Sequence, residues 1–381
     1  MMDRRILLDT FSGLKIKIKK DIFVKQEQAL LMIKTKETRI ANNFDIIRIL
    51  FAWFVILSHS YVLNGDGPFD PLAKLTNGYM IFSFIGVKGF FIISGYLIFQ
   101  SLERSHSVAD YLTKRILRIF PALLVVLALT LLVVYFIYPL QHGYYLLDPE
   151  IYKYFFGNGI LFMPHFFIKG VFENLPVHAV NGSLWTIEFE FFFYIVLLLF
   201  FPIRKNKNLL KILLSILLVG LFIGAIFFLN ELKKITNPIN LELAFDLGTY
   251  FLMGSFIACF NWDSIPFKIW IVLLAGLVLI IATLFKLNYA WVQISLPFII
   301  IYLGKQSSKL ATVSHQLLGD PSYGIYLYGF PVQQFIIYFF KPNTMMLLLS
   351  STLVCFAIGY LSWTFIEKKA LMYKNIFAAK R

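Results

Sequence analysis

Cysteine and charge are both scarce in this chain of 381 residues. Its two cysteines, Cys259 and Cys355, lie inside apolar runs and fit neither a disulfide framework nor a metal site, so we expect them to be packing residues. Charged residues make up 15% of the chain, against about 25% in ordinary soluble domains, which excludes that class. Hydrophobic residues make up 59% and aromatic residues 18%, a composition that predicts a polytopic membrane protein.

Long apolar runs are abundant instead. About ten of them approach the twenty or so residues needed to cross roughly 30 Å of hydrocarbon. Because the runs are continuous rather than alternating, they predict transmembrane helices, and thus an all-α fold, rather than a barrel. The predicted spans are 44–63, 79–100, 117–138, 184–203, 209–229, 241–260, 268–285, 289–304, 322–340 and 344–366. The eighth is short and contains Pro297, which can break a helix.

Lysine and arginine are distributed unevenly between the connections. Ten precede the first span, sixteen lie in the even-numbered connections and the tail, and seven lie in the odd-numbered connections. Basic residues accumulate on the cytoplasmic side, so both termini are predicted to be cytoplasmic. The net charge of +14 therefore indicates topology and affinity for anionic membrane lipids, not a nucleic-acid partner.

The chain divides into three predicted parts. Residues 1–43 form a basic segment that lacks the apolar core and cleavage site of a signal peptide, so we expect a cytoplasmic or interfacial piece. Residues 44–369 form the membrane domain, and residues 370–381 form a cytoplasmic tail. Within the membrane domain, the long connection 139–183 is predicted to face outward, with a short interfacial helix around 150–163.

The first span carries ionisable residues, which are costly in lipid and usually face protein or water. Arg48 and His59 are eleven residues apart, which places them on nearly the same helix face, about 16 Å apart along the axis. Asp45 lies one turn before Arg48 and is expected to pair with it. A structural interpretation is that Arg48 extends to the headgroups and His59 hydrogen-bonds a neighbouring helix. The alternative interpretation is that Arg48 and His59 form one functional face of the helix.

Further motifs combine small, basic and acidic residues in or near spans. "GVKGFFIISGYL" places Ser94 in the second span, and "RILRIFP" places Arg115 and Arg118 on one helix face. "NGSLWTIEFEFFFY" carries Glu188 and Glu190 into the fourth span, and "SYGIYLYGFPVQQ" begins the ninth.

Taken in order, these motifs resemble the membrane acyltransferase-3 family of bacterial surface-polysaccharide O-acyltransferases, over residues 40 to 369. The resemblance rests on the following residues: Arg48 with His59; Phe90, Phe91, Ser94, Gly95 and Tyr96; Arg115, Arg118 and Pro121; Ser183, Leu184, Trp185, Glu190, Phe193 and Tyr194; and Ser322, Tyr323, Tyr326 and Leu327. Two positions depart from it. Many members carry histidine where this chain has Gly329, and proline where it has Lys369.

The resemblance implies transfer of an acyl group, most often acetyl, from cytoplasmic acyl-CoA to a sugar hydroxyl of a surface polysaccharide or lipid-linked glycan. It implies a multi-pass protein of the bacterial cytoplasmic membrane, with acetyl-CoA as co-substrate and no metal. His59 could serve as the general base for the hydroxyl, either directly or after carrying the acyl group. Arg48, Arg115 and Arg118 could bind the phosphates of CoA. Supporting roles fall to Ser94, Lys88, Ser183, Trp185, Tyr194 and Tyr323.

Glu190 is assigned as the second catalytic residue, with three roles left open. It could orient the His59 imidazole, hold the acceptor sugar, or pair with Lys88. A buried ammonium needs a partner, and Glu188 or Glu190 are expected to provide it for Lys88. A competing interpretation makes the whole protein a transporter or flippase for lipid-linked sugars, because charges inside spans also mark substrate pathways. That interpretation gives no reason for the arginine pair.

Overall fold

The computed structural model describes residues 41–139, 142–161, 164–227, 240–374 and 376. These residues form helices and no strand beyond one isolated bridge between Asn42 and Ser307, which confirms the all-α prediction for the described part of the chain. Residues 1–40 of the predicted basic segment lie outside the described residues, and so does half of the predicted tail.

The fold is a bundle of long helices joined by short helical turns. Its α-helices are α1 Phe44–Leu63, α2 Pro71–Leu75, α3 Phe82–Arg104, α4 Val108–Ile137, α5 Pro149–Tyr152, α6 Trp185–Leu197, α7 Lys207–Phe227, α8 Leu241–Ala258, α9 Lys268–Leu284, α10 Ala290–Lys305, α11 Lys309–Leu317, α12 Ser322–Phe340, α13 Thr344–Ser362 and α14 Lys368–Leu371. A 3₁₀ turn, Gly182–Leu184, leads into α6, and a π turn, Trp363–Glu367, joins α13 to α14.

Long apolar helices occupy the predicted spans. Among the described residues, seven helical segments are long and apolar enough to cross a membrane, so the chain is a multi-pass membrane protein. Three shorter or more polar helices, α9, α10 and α12, coincide with the seventh, eighth and ninth predicted spans. Pro297 lies inside a continuous α10, so it does not break the eighth.

Glycines allow the closest helix contact of the bundle, between α3 and α8. A side chain at Gly95 would place its Cβ 1.9 Å from the Phe251 carbonyl oxygen, and one at Gly254 would place it 2.2 Å from the Ile92 carbonyl oxygen. The Ser255 hydroxyl donates a hydrogen bond to the Gly95 carbonyl at 3.1 Å. Small residues permit such backbone approach in membranes. The preceding residue on α3, Ser94, points about 100° away from Gly95 and lines the cavity described below.

The helices α1 and α3 run antiparallel, which sets the level of each site residue. At one end the Ser83 amide donates to the Ser58 hydroxyl at 2.7 Å, and at the other the Phe44 and Tyr96 rings lie 5.6 Å apart. His59 is therefore level with the beginning of α3. The rise from Ser83 to Ser94 is about 16 Å, so Ser94 is level with the Phe44 end of α1.

The segment before α6 enters the protein rather than staying at its surface. Asn181 and Ser183 are buried, and the Asn181 amide donates to the Leu327 carbonyl of α12 at 3.1 Å. Gln334 of α12 donates to the Val177 carbonyl at 2.6 Å. The fourth span thus begins inside the bundle. Short helical turns at Pro149–Tyr152 and Lys153–Gly157 lie where the interfacial helix was predicted.

Candidate functional site

A cavity of about 360 Å³ opens between α1, α3, α4, α6 and α12. Its polar or ionisable lining residues are Arg48, Ser94, Ser101, Arg104, Arg115, Arg118, Thr186, Glu190, Tyr194, Ser322, Tyr323 and Tyr326. The rest of the lining is apolar and includes Val87, Phe90, Phe91, Ile93, Leu97, Ile98, Ile119 and Ile187. The structure thus brings together the three predicted donor-site arginines, Ser94 and Glu190.

Two of the lining arginines are already paired with carboxylates. Arg118 Nη2 lies 2.5 Å from Asp320 Oδ2, and Arg48 Nη2 lies 3.2 Å from the same oxygen. Arg118 also lies 3.5 Å from Glu367, and Arg48 lies 2.5 Å from Asp45, the predicted local partner. Burial alone would raise the pKa of Asp320, but Arg118 and Arg48 hold it below its usual value. Asp320 is therefore a carboxylate shared by two cations.

Arg115 is different, because no carboxylate of the described chain forms an ion pair with it. Its Nη2 donates to the Ser101 hydroxyl at 3.2 Å, and its guanidinium lies 5.7 Å from the ring centres of both Tyr111 and Tyr194. Arg104, at the end of α3, is exposed and also lines the cavity. These two arginines are the ones best placed to bind an added anion.

Glu190 forms a compact hydrogen-bonded group on the cavity wall. The Ser94 hydroxyl donates to Glu190 Oε1 at 2.9 Å, and the Tyr194 hydroxyl, one helical turn along α6, donates to the same oxygen. Tyr194 is buried, whereas Ser94 and Glu190 are half-buried. The group therefore presents a carboxylate and a hydroxyl to the cavity.

His59 does not line this cavity. Its ring packs edge-on against Phe330, with ring centres 5.3 Å apart, and its Nδ1 is buried without a hydrogen-bond partner among the described residues. Glu190 bonds to Ser94 and Tyr194, so it does not orient the imidazole in this structure. The helix levels place the two predicted catalytic residues about 16 Å apart along the bundle.

The predicted partner of Lys88 is wrong. Lys88 Nζ lies 2.6 Å from Asp246 Oδ2 on α8, not next to Glu188 or Glu190, and 3.7 Å from the centre of the Phe84 ring. Gln293 donates to the other Asp246 oxygen at 3.0 Å. The close α3–α8 contact explains the outcome, because it brings Asp246 to Lys88. Lys88 thus forms an ion pair that links α3 to α8.

Of the remaining predicted residues, Tyr323 lines the cavity, whereas Ser183 and Trp185 do not. The Tyr323 hydroxyl donates to the Ile119 carbonyl at 3.1 Å, and its ring lies 5.7 Å from the Arg118 guanidinium. The Ser183 carbonyl accepts from the Tyr326 hydroxyl at 3.2 Å, while Trp185 packs against Phe189 with ring centres 6.1 Å apart.

Sequence reasoning missed Asp320 and Glu367. Asp320 stands two residues before the Ser322–Tyr323 motif, and Glu367 lies in the closing "WTFIEKK". Asp320 adjoins the Ser322–Tyr323 motif, and Glu367 lies two residues before Lys369, the position that departs from the family pattern. These neighbouring positions were the available signals.

Comparison with known proteins identifies the family of the chain. The acyltransferase-3 family model, described as an acyltransferase domain, matches residues 42–365. An O-acetyl transferase of Shigella phage Sf6 is 32% identical over 351 residues, covering 87% of this chain and 96% of that protein. Nodulation protein 10 of Rhizobium leguminosarum bv. viciae is 28% identical over 376 residues, covering 89% of this chain and 96% of that protein.

A third relative is longer than this chain. The peptidoglycan O-acetyltransferase OatA of Listeria monocytogenes is 26% identical over 328 residues, which are 74% of this chain and 50% of that protein. No solved structure matches the chain. The family match spans most of the chain and includes every cavity residue described above, so this multi-pass membrane protein belongs to the acyltransferase-3 family and is an O-acyltransferase.

Proposed function

We propose that the protein transfers an acetyl group from cytoplasmic acetyl-CoA to a hydroxyl of a cell-surface polysaccharide or lipid-linked glycan, on the outer side of the bacterial cytoplasmic membrane. Relatives named as O-acetyl transferase and peptidoglycan O-acetyltransferase support the acetyl group and the glycan acceptor. The bias of basic residues toward the even-numbered connections supports cytoplasmic termini and an arginine cluster that faces the cytoplasm.

The observation that carries this proposal is the cavity with four arginines at one end and an apolar lining beyond them. CoA combines several phosphate charges with a long, weakly polar arm that ends in the thioester. Guanidinium groups bind phosphate through paired hydrogen bonds, and an apolar cavity accepts the arm. A flippase for lipid-linked sugars, the competing function, has no use for such a donor.

We further propose that His59 is the base for the acceptor hydroxyl. A sugar hydroxyl is a poor nucleophile at neutral pH, and a base within hydrogen-bond reach increases its reactivity. The imidazole lies on α1 at the end remote from the arginines, which suits an acceptor that approaches from the outer side. Its Nδ1 is buried and has no hydrogen-bond partner among the described residues, so no hydrogen bond at that atom explains the histidine.

Binding of acetyl-CoA to the purified protein tests the donor. Arg115→Ala is expected to weaken it by about one to two decades, because a lost charge-assisted hydrogen bond is worth roughly 1.5–3 kcal/mol. Isothermal calorimetry or a fluorescent acyl-CoA would measure the change. Arg204→Ala, at a basic residue that does not line the cavity, is the matched control and should bind normally. Equal affinity for acetyl-CoA in both variants would show that Arg115 does not bind the donor and only contributes to the charge bias that sets topology. If the wild type bound no acetyl-CoA, the flippase function would be favoured.

Reporter fusions test the topology. A fusion after Arg381 should show cytoplasmic reporter activity, and a fusion at Tyr145 should show exported activity, because the basic connections stay inside. Alkaline phosphatase and green fluorescent protein report the two sides. A cytoplasmic signal at Tyr145 would reverse the assignment of donor and acceptor ends.

A further inference from the structure

The cavity has a hydrogen-bonded pair, Ser94 and Glu190, partway along a mainly apolar wall. Most α3 residues that line the cavity recur at helical spacing, and the full set is Val87, Phe90, Phe91, Ile93, Ser94, Leu97, Ile98, Ser101 and Arg104. From Arg104 to Val87 the wall extends about 25 Å along the helix axis. Ser94 lies between its ends, and across the cavity it meets Glu190 of α6 at 2.9 Å. Burial of a carboxylate costs free energy unless it is hydrogen-bonded or paired with a cation.

One oxygen of that carboxylate is free to bind something else. The bonds from Ser94 and Tyr194 both reach Glu190 Oε1. Oε2 receives no hydrogen bond from the described residues. It is not fully buried, and Glu190 lines the cavity, so this oxygen keeps accessible surface there. Ser94 and Tyr194 therefore fix the carboxylate through one oxygen and leave the other directed at whatever fills the cavity.

The spacing from the arginines matches the donor's arm. Arg115 bonds to Ser101, seven residues from Ser94, which corresponds to about 10 Å along α3. The pantetheine arm has about the backbone length of four extended residues, or about 14 Å. An arm whose phosphates lie near Arg115, and which extends along the α3 wall of the cavity, passes Ser94 and Glu190. It carries a hydroxyl and two amide N–H groups, each of which needs an acceptor once water is excluded.

We propose that Glu190, held by Ser94 and Tyr194, binds the pantetheine arm of the acyl donor, with Oε2 accepting a hydrogen bond from an amide or the hydroxyl of the arm. This inference rests on the proposed function. It makes Glu190 a donor-binding residue instead of a second base. Ser94 and His59 differ in level by about 16 Å, so an acceptor hydroxyl at His59 is out of reach of Glu190. An arm of about 14 Å that starts at Arg115 ends near Ser94, so the donor must move roughly 12 Å further along the bundle before its thioester reaches His59.

Steady-state kinetics of Glu190→Gln separate the two roles. Glutamine keeps the shape but lacks the charge, so KM for acetyl-CoA should rise about tenfold or more while kcat stays within a few-fold. A general base would behave in the opposite way, with kcat reduced at least a hundredfold and KM unchanged. Glu188→Gln is the matched control, since Glu188 lies on the same helix but does not line the cavity. Its kinetics should be those of the wild type.

Fragments of the donor locate the effect. Glu190→Gln should weaken binding of S-acetylpantetheine and leave binding of adenosine 3′-phosphate 5′-diphosphate, the nucleotide part of CoA, unchanged. Arg115→Ala should show the reverse pattern. Ser94→Ala should raise KM in the same direction by a smaller factor, which gives a second test if the glutamine variant folds poorly. Unchanged KM in both cavity variants, with a wild type that binds and turns over acetyl-CoA, would overturn this inference and leave the proposed function standing.

Discussion

His59→Gln is expected to abolish acetyl transfer to the glycan while the affinity for acetyl-CoA stays at its wild-type value. Glutamine can replace a hydrogen bond but cannot take up a proton at neutral pH. Loss of a general base lowers the rate by about 10²–10⁴-fold. Donor affinity should not change, because the arginines lie at the other end of the bundle and His59 does not line their cavity.

Mass spectrometry of surface glycan from cells that carry each variant measures this effect. His106→Gln is the control, because His106 is exposed between α3 and α4 and lies outside the cavity lining. Its glycan should be acetylated normally. A purely structural histidine would give a different result, namely lower protein stability with residual activity in the folded fraction. Normal acetylation by His59→Gln would remove His59 from the mechanism.

Arg118→Ala is expected to destabilise the protein by about 3–5 kcal/mol, the usual effect of removing one partner from a buried ion pair. Arg118 lies 2.5 Å from Asp320 and 3.5 Å from Glu367, so its loss leaves one buried carboxylate with Arg48 alone and the other without a cation. Thermal unfolding in detergent would measure the change. Arg115→Ala should unfold closer to the wild type, since Arg115 forms an ion pair with no carboxylate among the described residues.

Glu367→Gln provides the internal check for this prediction. In the Arg118→Ala background it replaces a buried carboxyl group that has lost its cation, so it should restore part of the lost thermal stability. The same substitution in the wild type removes a favourable partner of Arg118 and should be neutral or mildly destabilising. Equal unfolding temperatures for Arg115→Ala and Arg118→Ala would show that the Asp320 network does not stabilise the bundle.

Local features were readable from the sequence. The apolar runs that gave the spans continue over whole helices, so α1 begins and ends at the predicted residues, and α8 and α12 differ from the prediction by two residues at most. The Asp45–Arg48 pair is confirmed because its residues are one helical turn apart. Cys259 and Cys355 are buried and free, as their apolar surroundings indicated.

Pairings between distant helices were not readable. Lys88 meets Asp246 because glycines bring α3 against α8, and nothing in either motif specifies that neighbour. Depth along the membrane suggested a glutamate of the fourth span, but depth does not identify which helices touch. Asp320 similarly neutralises Arg48 and Arg118 only because α1, α4 and the beginning of α12 converge. The sequence motifs indicate which residue types are present, but the packing of the helices determines which residues pair.

The central claim is that acetyl groups from cytoplasmic acetyl-CoA reach an acceptor on the other side of the membrane. Sealed inside-out membrane vesicles, with radiolabelled acetyl-CoA added to the exposed cytoplasmic face, test it directly. We predict label in the enclosed glycan with the wild-type protein, none with His59→Gln, and none in right-side-out vesicles until they are permeabilised. Labelling of intact right-side-out vesicles, or equal labelling with the wild type and His59→Gln, would contradict the account.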